Sequence, residues 1–152
     1  MFGETLAYRY ELAERLGFTD LRVFRPDPRL LRLKDEKGLR WSYDPDGCCD
    51  LRKVEPLRRA LAPLRAWVTG QRKDQSPSTR TDIPVVQLDR TFGTPERPLL
   101  KFNPLSHWTS RQVWDYIEIY DVPFNALHAR GFISIGCEPC TRATTPNQPA
   151  TT

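Results

Sequence analysis

Apolar positions recur at helical spacing from the start of the chain. Leu6, Tyr10, Ala13 and Leu16 line one face of a predicted helix over residues 3–17, and Gly17 supplies its stop. Leu21-Arg22-Val23-Phe24 reads as a strand closed by Pro26 and Pro28, a helix-to-strand passage of the kind found in parallel α/β sheets. A second, more polar helix fits residues 29–37. Turn formers then crowd Tyr43-Asp44-Pro45-Asp46-Gly47, so a loop is predicted to deliver the chain to Cys48-Cys49. A further helix is expected from Pro56 through Leu57 and Leu61 to Pro63. Strands are predicted at Ala66-Trp67-Val68-Thr69, Val85-Val86-Gln87-Leu88 and Leu99-Leu100-Lys101-Phe102. Thr109 and Gln112 form a capping-box pattern ahead of an apolar stripe of Val113, Trp114, Ile117 and Tyr120. Past Pro123 the chain is loop-rich, and residues 143–152 have almost no apolar content and are expected to fray. The sum is an α/β chain with about four strands.

Composition narrows the class. The 152 residues suit one domain, expected over 1–142, with 39% hydrophobic and 28% charged positions. No apolar run approaches the ~20 residues of a membrane span. The opening Met1-Phe2-Gly3-Glu4-Thr5 lacks the basic cluster and apolar stretch of a secretory signal. Membrane, exported and fibrous proteins are thus set aside, and a reducing cytoplasm is the expected location. The 23 basic residues exceed the 19 acidic ones by four, with both signs mixed, so no nucleic-acid partner is expected.

The four cysteines fall into two pairs, Cys48-Cys49 and Cys137-Glu138-Pro139-Cys140, with none left over. A C-x-x-C turn aims two sulfurs at one centre, which suits zinc, an iron–sulfur cluster or a redox dithiol. Structural zinc sites usually space their cysteines by two to four residues. Adjacent residues project in different directions, so a vicinal pair reaches two separate metal atoms more easily than one. Four thiolates on an iron–sulfur cluster is the reading this favours. A non-catalytic four-cysteine zinc module with an anion-binding loop is the alternative.

The stretch Gly70-Gln71-Arg72-Lys73-Asp74-Gln75-Ser76, followed by Arg80, comes directly after a predicted strand. Ligands of α/β sheets sit at the carboxyl ends of strands. Guanidinium groups there bind phosphate or sulfate oxygens in bidentate fashion. Lys53, four positions after Cys49, can bring a positive charge beside the metal site.

As a set these residues resemble the assimilatory adenylyl-sulfate and phosphoadenylyl-sulfate reductases. The resemblance is carried by Cys48-Cys49-Asp50-Leu51-Arg52-Lys53, by Trp67 through Ser76 with Arg80, by Asn103-Pro104-Leu105 and Trp108, and by Gly136 through Arg142. It extends from about Phe2 to Gln148, and the paired cysteines are similar to those of the adenylyl-sulfate branch. The resemblance implies a Rossmann-like sheet of the adenine-nucleotide α-hydrolase type, flanked by helices. It implies a [4Fe–4S] cluster on Cys48, Cys49, Cys137 and Cys140, and substrate-binding or cluster-adjacent roles for Lys53, Gly70, Arg72 and Arg80. It further implies reduction of adenylyl sulfate to sulfite and AMP, with thioredoxin or a similar dithiol as electron donor.

Against that pattern the family's phosphate loop and first strands are expected upstream of Phe2-Gly3-Glu4-Thr5, and its nucleophilic cysteine downstream of Cys140. The fold is therefore expected to be incomplete, the nucleophile absent and the isolated chain inactive. Uncovered apolar sheet edges are expected to favour self-association into homo-oligomers.

Overall fold

The computed structural model describes residues 1–75 and 82–144, and the expected frayed end lies largely outside them. The chain divides into two compact units, one built from Met1–Val23 and the chain from Asp121 on, the other from Phe24–Tyr120.

In the first unit, helix α1 spans Gly3–Arg15. The stripe predicted to face inward is largely in solvent instead, with Tyr10 60% and Leu16 56% exposed. The half-buried side carries Thr5, Tyr8, Arg9 and Leu12. Its contacts are polar: the Tyr8 hydroxyl donates to the Pro123 carbonyl at 2.7 Å, and the Thr5 hydroxyl accepts from Asn125 Nδ2 at 3.0 Å. Hydrogen bonds chose this face, and apolar periodicity cannot register them. Phe2 meets Phe132 edge to face at 5.3 Å, and Leu127 is fully buried.

The second unit holds the sheet. Strands β1 (Ala66–Val68), β2 (Val86–Leu88) and β3 (Leu100–Phe102) lie in the order β1-β3-β2. β1 runs parallel to β3, with Trp67 opposite Lys101, whereas β2 runs antiparallel to it, with Gln87 opposite Lys101. The sheet is therefore mixed, with three strands among the described residues. Leu21–Phe24 is not one of them. Among the described residues it has no strand to pair with, and β-branched or aromatic composition does not make a strand without a ladder.

The two faces of the sheet differ. Trp67, Gln87 and Lys101 are half-buried on one side, and Lys101 Nζ sits 5.1 Å from the centre of the Trp67 ring. Alternation sends Ala66, Val68, Val86, Leu88, Leu100 and Phe102 to the other side. That face is open, with Val68 69% and Leu88 57% exposed. The link after β2 is fixed by the buried Asp89, whose carboxylate accepts from Trp67 Nε1 at 3.1 Å and from the backbone N–H groups of Thr91 and Phe92. Gly93 closes the turn, because a Cβ there would lie 2.7 Å from the Asp89 carbonyl oxygen and 2.9 Å from the Leu99 nitrogen.

Helix α2 (Pro28–Asp35) starts on Asp27, which caps the Arg29 N–H. Helix α3 covers Pro45–Cys49, a π turn follows over Asp50–Val54, and α4 runs Glu55–Leu61. The predicted loop before the cysteines is thus a helix start, capped by Asp44 on the Gly47 N–H at 3.0 Å. Pro56 accounts for the π turn. Having no N–H, it cannot close the usual bond to residue 52, and the helix widens so that Glu55 N–H reaches the Asp50 carbonyl. Helix α5 (Ser110–Ile119) begins at the predicted capping box, complete in both directions. Of its expected stripe only Val113 and Ile117 are half-buried, and Trp114 and Tyr120 are exposed.

Candidate functional site

Cys48 is buried and Cys49 half-buried in the helical segment that ends in the π turn. A chain of charges fixes that segment. The Asp35 side chain, 2% exposed, accepts Arg52 Nη2 at 2.6 Å and the Arg40 backbone N–H at 2.9 Å. Arg40 in turn grips Asp44, the cap of α3, through Nε and Nη2 at 2.9 and 2.7 Å. A Cβ on Gly47 would run into both the Asp44 carboxylate and the Arg40 guanidinium, so a larger residue there would have to displace this ion pair. Burial pushes the Cys48 thiol up, against the pull of the Arg52 guanidinium. Lys53 sits in the π turn, exposed, and takes part in further interactions.

The Arg52 guanidinium holds the Asp35 carboxyl below the usual carboxylate range despite its burial, and the Gly47 N–H and then Arg40 do the same for Asp44. Depressed folded values mean that the stability these groups contribute is complete above about pH 4, the unfolded carboxyl value. It is lost as the pH falls through their lower folded values. Thermal melts from pH 6 downward should therefore hold a steady midpoint to about pH 4 and then drop. Asp35→Asn should flatten that drop, and an unchanged profile in the variant would refute the assignment.

In the first unit, Cys137 is half-buried and Cys140 exposed, on a 3-10 turn over Glu138–Cys140. The Cys140 N–H donates to the Cys137 carbonyl at 2.9 Å. Thr141 clamps the turn: its hydroxyl donates to the same carbonyl at 2.8 Å and accepts from the Gly136 N–H at 3.2 Å. Arg142 Nη1 covers the carbonyls of Pro139 and Thr141 at 3.2 and 3.0 Å.

All four thiols are free, with no disulfide among them, and in number and type they match a four-thiolate group. Each unit by itself holds two of them. Among the described residues no three His, Cys, Asp or Glu side chains are gathered as a metal site.

The loop after β1 is anchored from below by Asn103, which has no exposed surface. Its Oδ1 accepts the Thr69 hydroxyl at 2.6 Å and its Nδ2 donates to the Pro84 carbonyl at 2.9 Å. The Thr69 oxygen accepts the Gln71 N–H, and the Lys73 N–H donates to the Ser106 carbonyl at 3.0 Å. Among the described residues nothing lies within 4 Å of where a Cβ on Gly70 would stand. Arg72 is only 15% exposed, with Nε 3.0 Å from Asp74 Oδ1 and Nη2 3.1 Å from Ser110 Oγ. Arg80 lies outside the described residues.

Residues 1–143 match the phosphoadenosine phosphosulfate reductase domain. The chain belongs to that family. As a member of the reductase family it is 54% identical over 149 residues to an adenosine 5'-phosphosulfate reductase of Pseudomonas aeruginosa, covering 95% of this chain and 55% of the relative. It is 55% identical over 118 residues to the chloroplastic 5'-adenylylsulfate reductase 3 of Arabidopsis thaliana, covering 74% of this chain and 26% of that one. The chain thus spans about half the length of the bacterial relative. The crystal structure of the phosphoadenylyl-sulfate reductase of Candida auris, a phosphate complex, superposes with a TM-score of 0.71 at 29% identity over 93% of this chain and 66% of that one. The mixed α/β arrangement is accordingly that of the adenine-nucleotide α-hydrolase-like reductases, as the resemblance implied.

Within this reductase-family chain, the residues that hold the candidate groups in place are not singled out by the sequence: Asp35, Asp74, Asn103, Ser110 and Thr141. Asp74, Asn103 and Thr141 lie inside the motifs that carry the resemblance, but nothing there gives them a role. Their shared signal is polarity inside otherwise apolar or loop-forming stretches, which becomes informative only once burial is known.

Among the described residues no helix is long and apolar enough to cross a membrane.

Proposed function

We propose that this chain forms the adenylyl-sulfate-binding and cluster-binding part of an adenylyl-sulfate reductase of sulfate assimilation, working in the reducing cytoplasm. The observation that carries the reading is the 54% identity, across 95% of the chain, to the Pseudomonas relative bearing that name. The free thiols support it in their number and pairing.

Cys48, Cys49, Cys137 and Cys140 would hold a [4Fe–4S] cluster, which supplies structural and electrostatic support near the substrate. Lys53, Arg72 and Arg80 supply the positive charge that a phosphosulfate demands. Its sulfur is surrounded by anionic oxygens, and cations must offset them before a thiolate can approach. In the reaction a cysteine thiolate bonds to that sulfur as the bond from sulfur to the AMP oxygen breaks, and AMP leaves. A dithiol reductant such as thioredoxin then displaces sulfite and becomes a disulfide. If all four cysteines here serve as ligands, the attacking thiolate is a fifth cysteine.

The experiment is calorimetric and chemical on one preparation. The anaerobically purified chain should bind adenylyl sulfate, and Arg72→Ala should weaken that binding by about tenfold or more, the worth of a charge-assisted pair. With adenylyl sulfate and reduced thioredoxin it should release no sulfite. Absent binding would overturn the substrate assignment, and sulfite release would overturn the assignment of all four thiols to the cluster.

A further inference from the structure

Arg72 is useful to an anion only if its guanidinium is held in one orientation. An arginine side chain has many rotamers, and a surface arginine must lose that freedom on each binding event. We infer that Asp74 and Ser110 are positioning residues that fix this guanidinium in advance and turn one edge of it toward the ligand. The inference rests on the substrate reading given above.

The geometry is a closed ring of three side chains. Arg72 Nε donates to Asp74 Oδ1 at 3.0 Å and Arg72 Nη2 donates to Ser110 Oγ at 3.1 Å. Ser110 Oγ donates its own proton to Asp74 Oδ2 at 2.9 Å. The single serine proton is thereby assigned, and every donor in the ring has its own acceptor. The Ser110 backbone N–H also donates to Asp74 Oδ2. This places the carboxylate at the start of α5, a ten-residue helix whose N-terminal end favours negative charge.

Two consequences follow for Arg72. Its side edge, Nε with Nη2, is occupied, and among the described residues Nη1 has no hydrogen-bond partner. The end-on fork is what remains for an oxyanion. Because α5 and the serine share the aspartate's charge, Asp74 steers the guanidinium without cancelling it. Burial works against ionisation of Asp74, but its bonds to Ser110 and the Arg72 charge together hold its carboxyl below the ordinary value.

Four variants of the chain decide the matter: Arg72→Ala, Asp74→Asn, Asp74→Glu and Ser110→Ala. Two readouts are taken, the affinity for adenylyl sulfate and the Nε–H resonance of Arg72 in a nitrogen-15 NMR spectrum. Asp74→Asn and Ser110→Ala should each weaken binding about tenfold by freeing the guanidinium, and Asp74→Glu should recover part of the loss. The Nε–H signal should be resolved and slow to exchange in the parent chain and should collapse to the free-arginine position in Asp74→Asn. If Arg72→Ala loses affinity while Asp74→Asn and Ser110→Ala bind like the parent, the positioning role is wrong and the substrate reading stands. If Arg72→Ala binds like the parent, or the parent does not bind, the substrate reading is wrong and the Nε–H signal decides the positioning. A parent Nε–H in fast exchange overturns the inference outright. Should Asp74→Asn fail to fold, Ser110→Ala decides in its place, since it keeps the helix N–H that Asp74 caps.

Discussion

Cys48→Ser and Cys137→Ser chains should each emerge colourless from anaerobic purification, whereas the parent chain should be brown, with about four irons and four sulfides per molecule. The two substitutions sit in different compact units. A cluster held by four thiolates has to be lost when either pair is broken, because serine oxygen is a poor replacement for thiolate at iron. The alternative zinc module makes a contrasting preparation: a colourless parent with about one zinc and no acid-labile sulfide. Iron that survives Cys137→Ser intact would remove the C-x-x-C pair from the ligand set. A brown parent bleached by one substitution and not the other would mean that the two pairs do not share one group.

Asn103→Ala should cost about 3 kcal/mol, the largest loss expected from a single change away from the cysteines. The side chain is wholly buried and serves two elements at once. It receives the Thr69 hydroxyl at the end of β1 and donates to the Pro84 carbonyl ahead of β2. Alanine deletes both bonds and leaves a void where the buried amide stood. For a chain of this length the thermal midpoint should fall by roughly 10 °C. Thr69→Val, which removes one of the two Asn103 partners together with the acceptor of the Gln71 N–H, should cost about half as much. A midpoint shift of under about 2 °C for Asn103→Ala would show that the loop after β1 is held by something else.

Much of the second unit is legible in the residues because its signals are local. Its three strands are flanked by turn formers, and Thr109 with Gln112 announces the start of α5 through bonds that span three positions. What escapes is whatever depends on a distant partner. Leu21–Phe24 has strand composition but, among the described residues, no strand to pair with. The stripe Leu6-Tyr10-Ala13-Leu16 obeys helical periodicity, yet α1 is seated by Thr5 and Tyr8 through bonds to residues more than a hundred positions away. Turn-forming residues before Cys48 suggest a loop, but Asp44 and Pro45 are equally the cap and first position of a helix. The candidate site follows the same division. Cysteine pairs and arginines are visible as residue types, whereas the groups that orient them declare themselves only through burial and contact.

The open side of the sheet bears on how the sequence should be interpreted. Val68, Val86, Leu88 and Leu100 contribute only part of what a buried aliphatic side chain does, since water already touches them in the folded chain. A designer free to choose would write threonine or lysine at such places and gain solubility. Aliphatic identity at those four positions is therefore only partly explained by this chain's own packing, and substitutions there would report on whatever the surface meets as well as on how these residues fold.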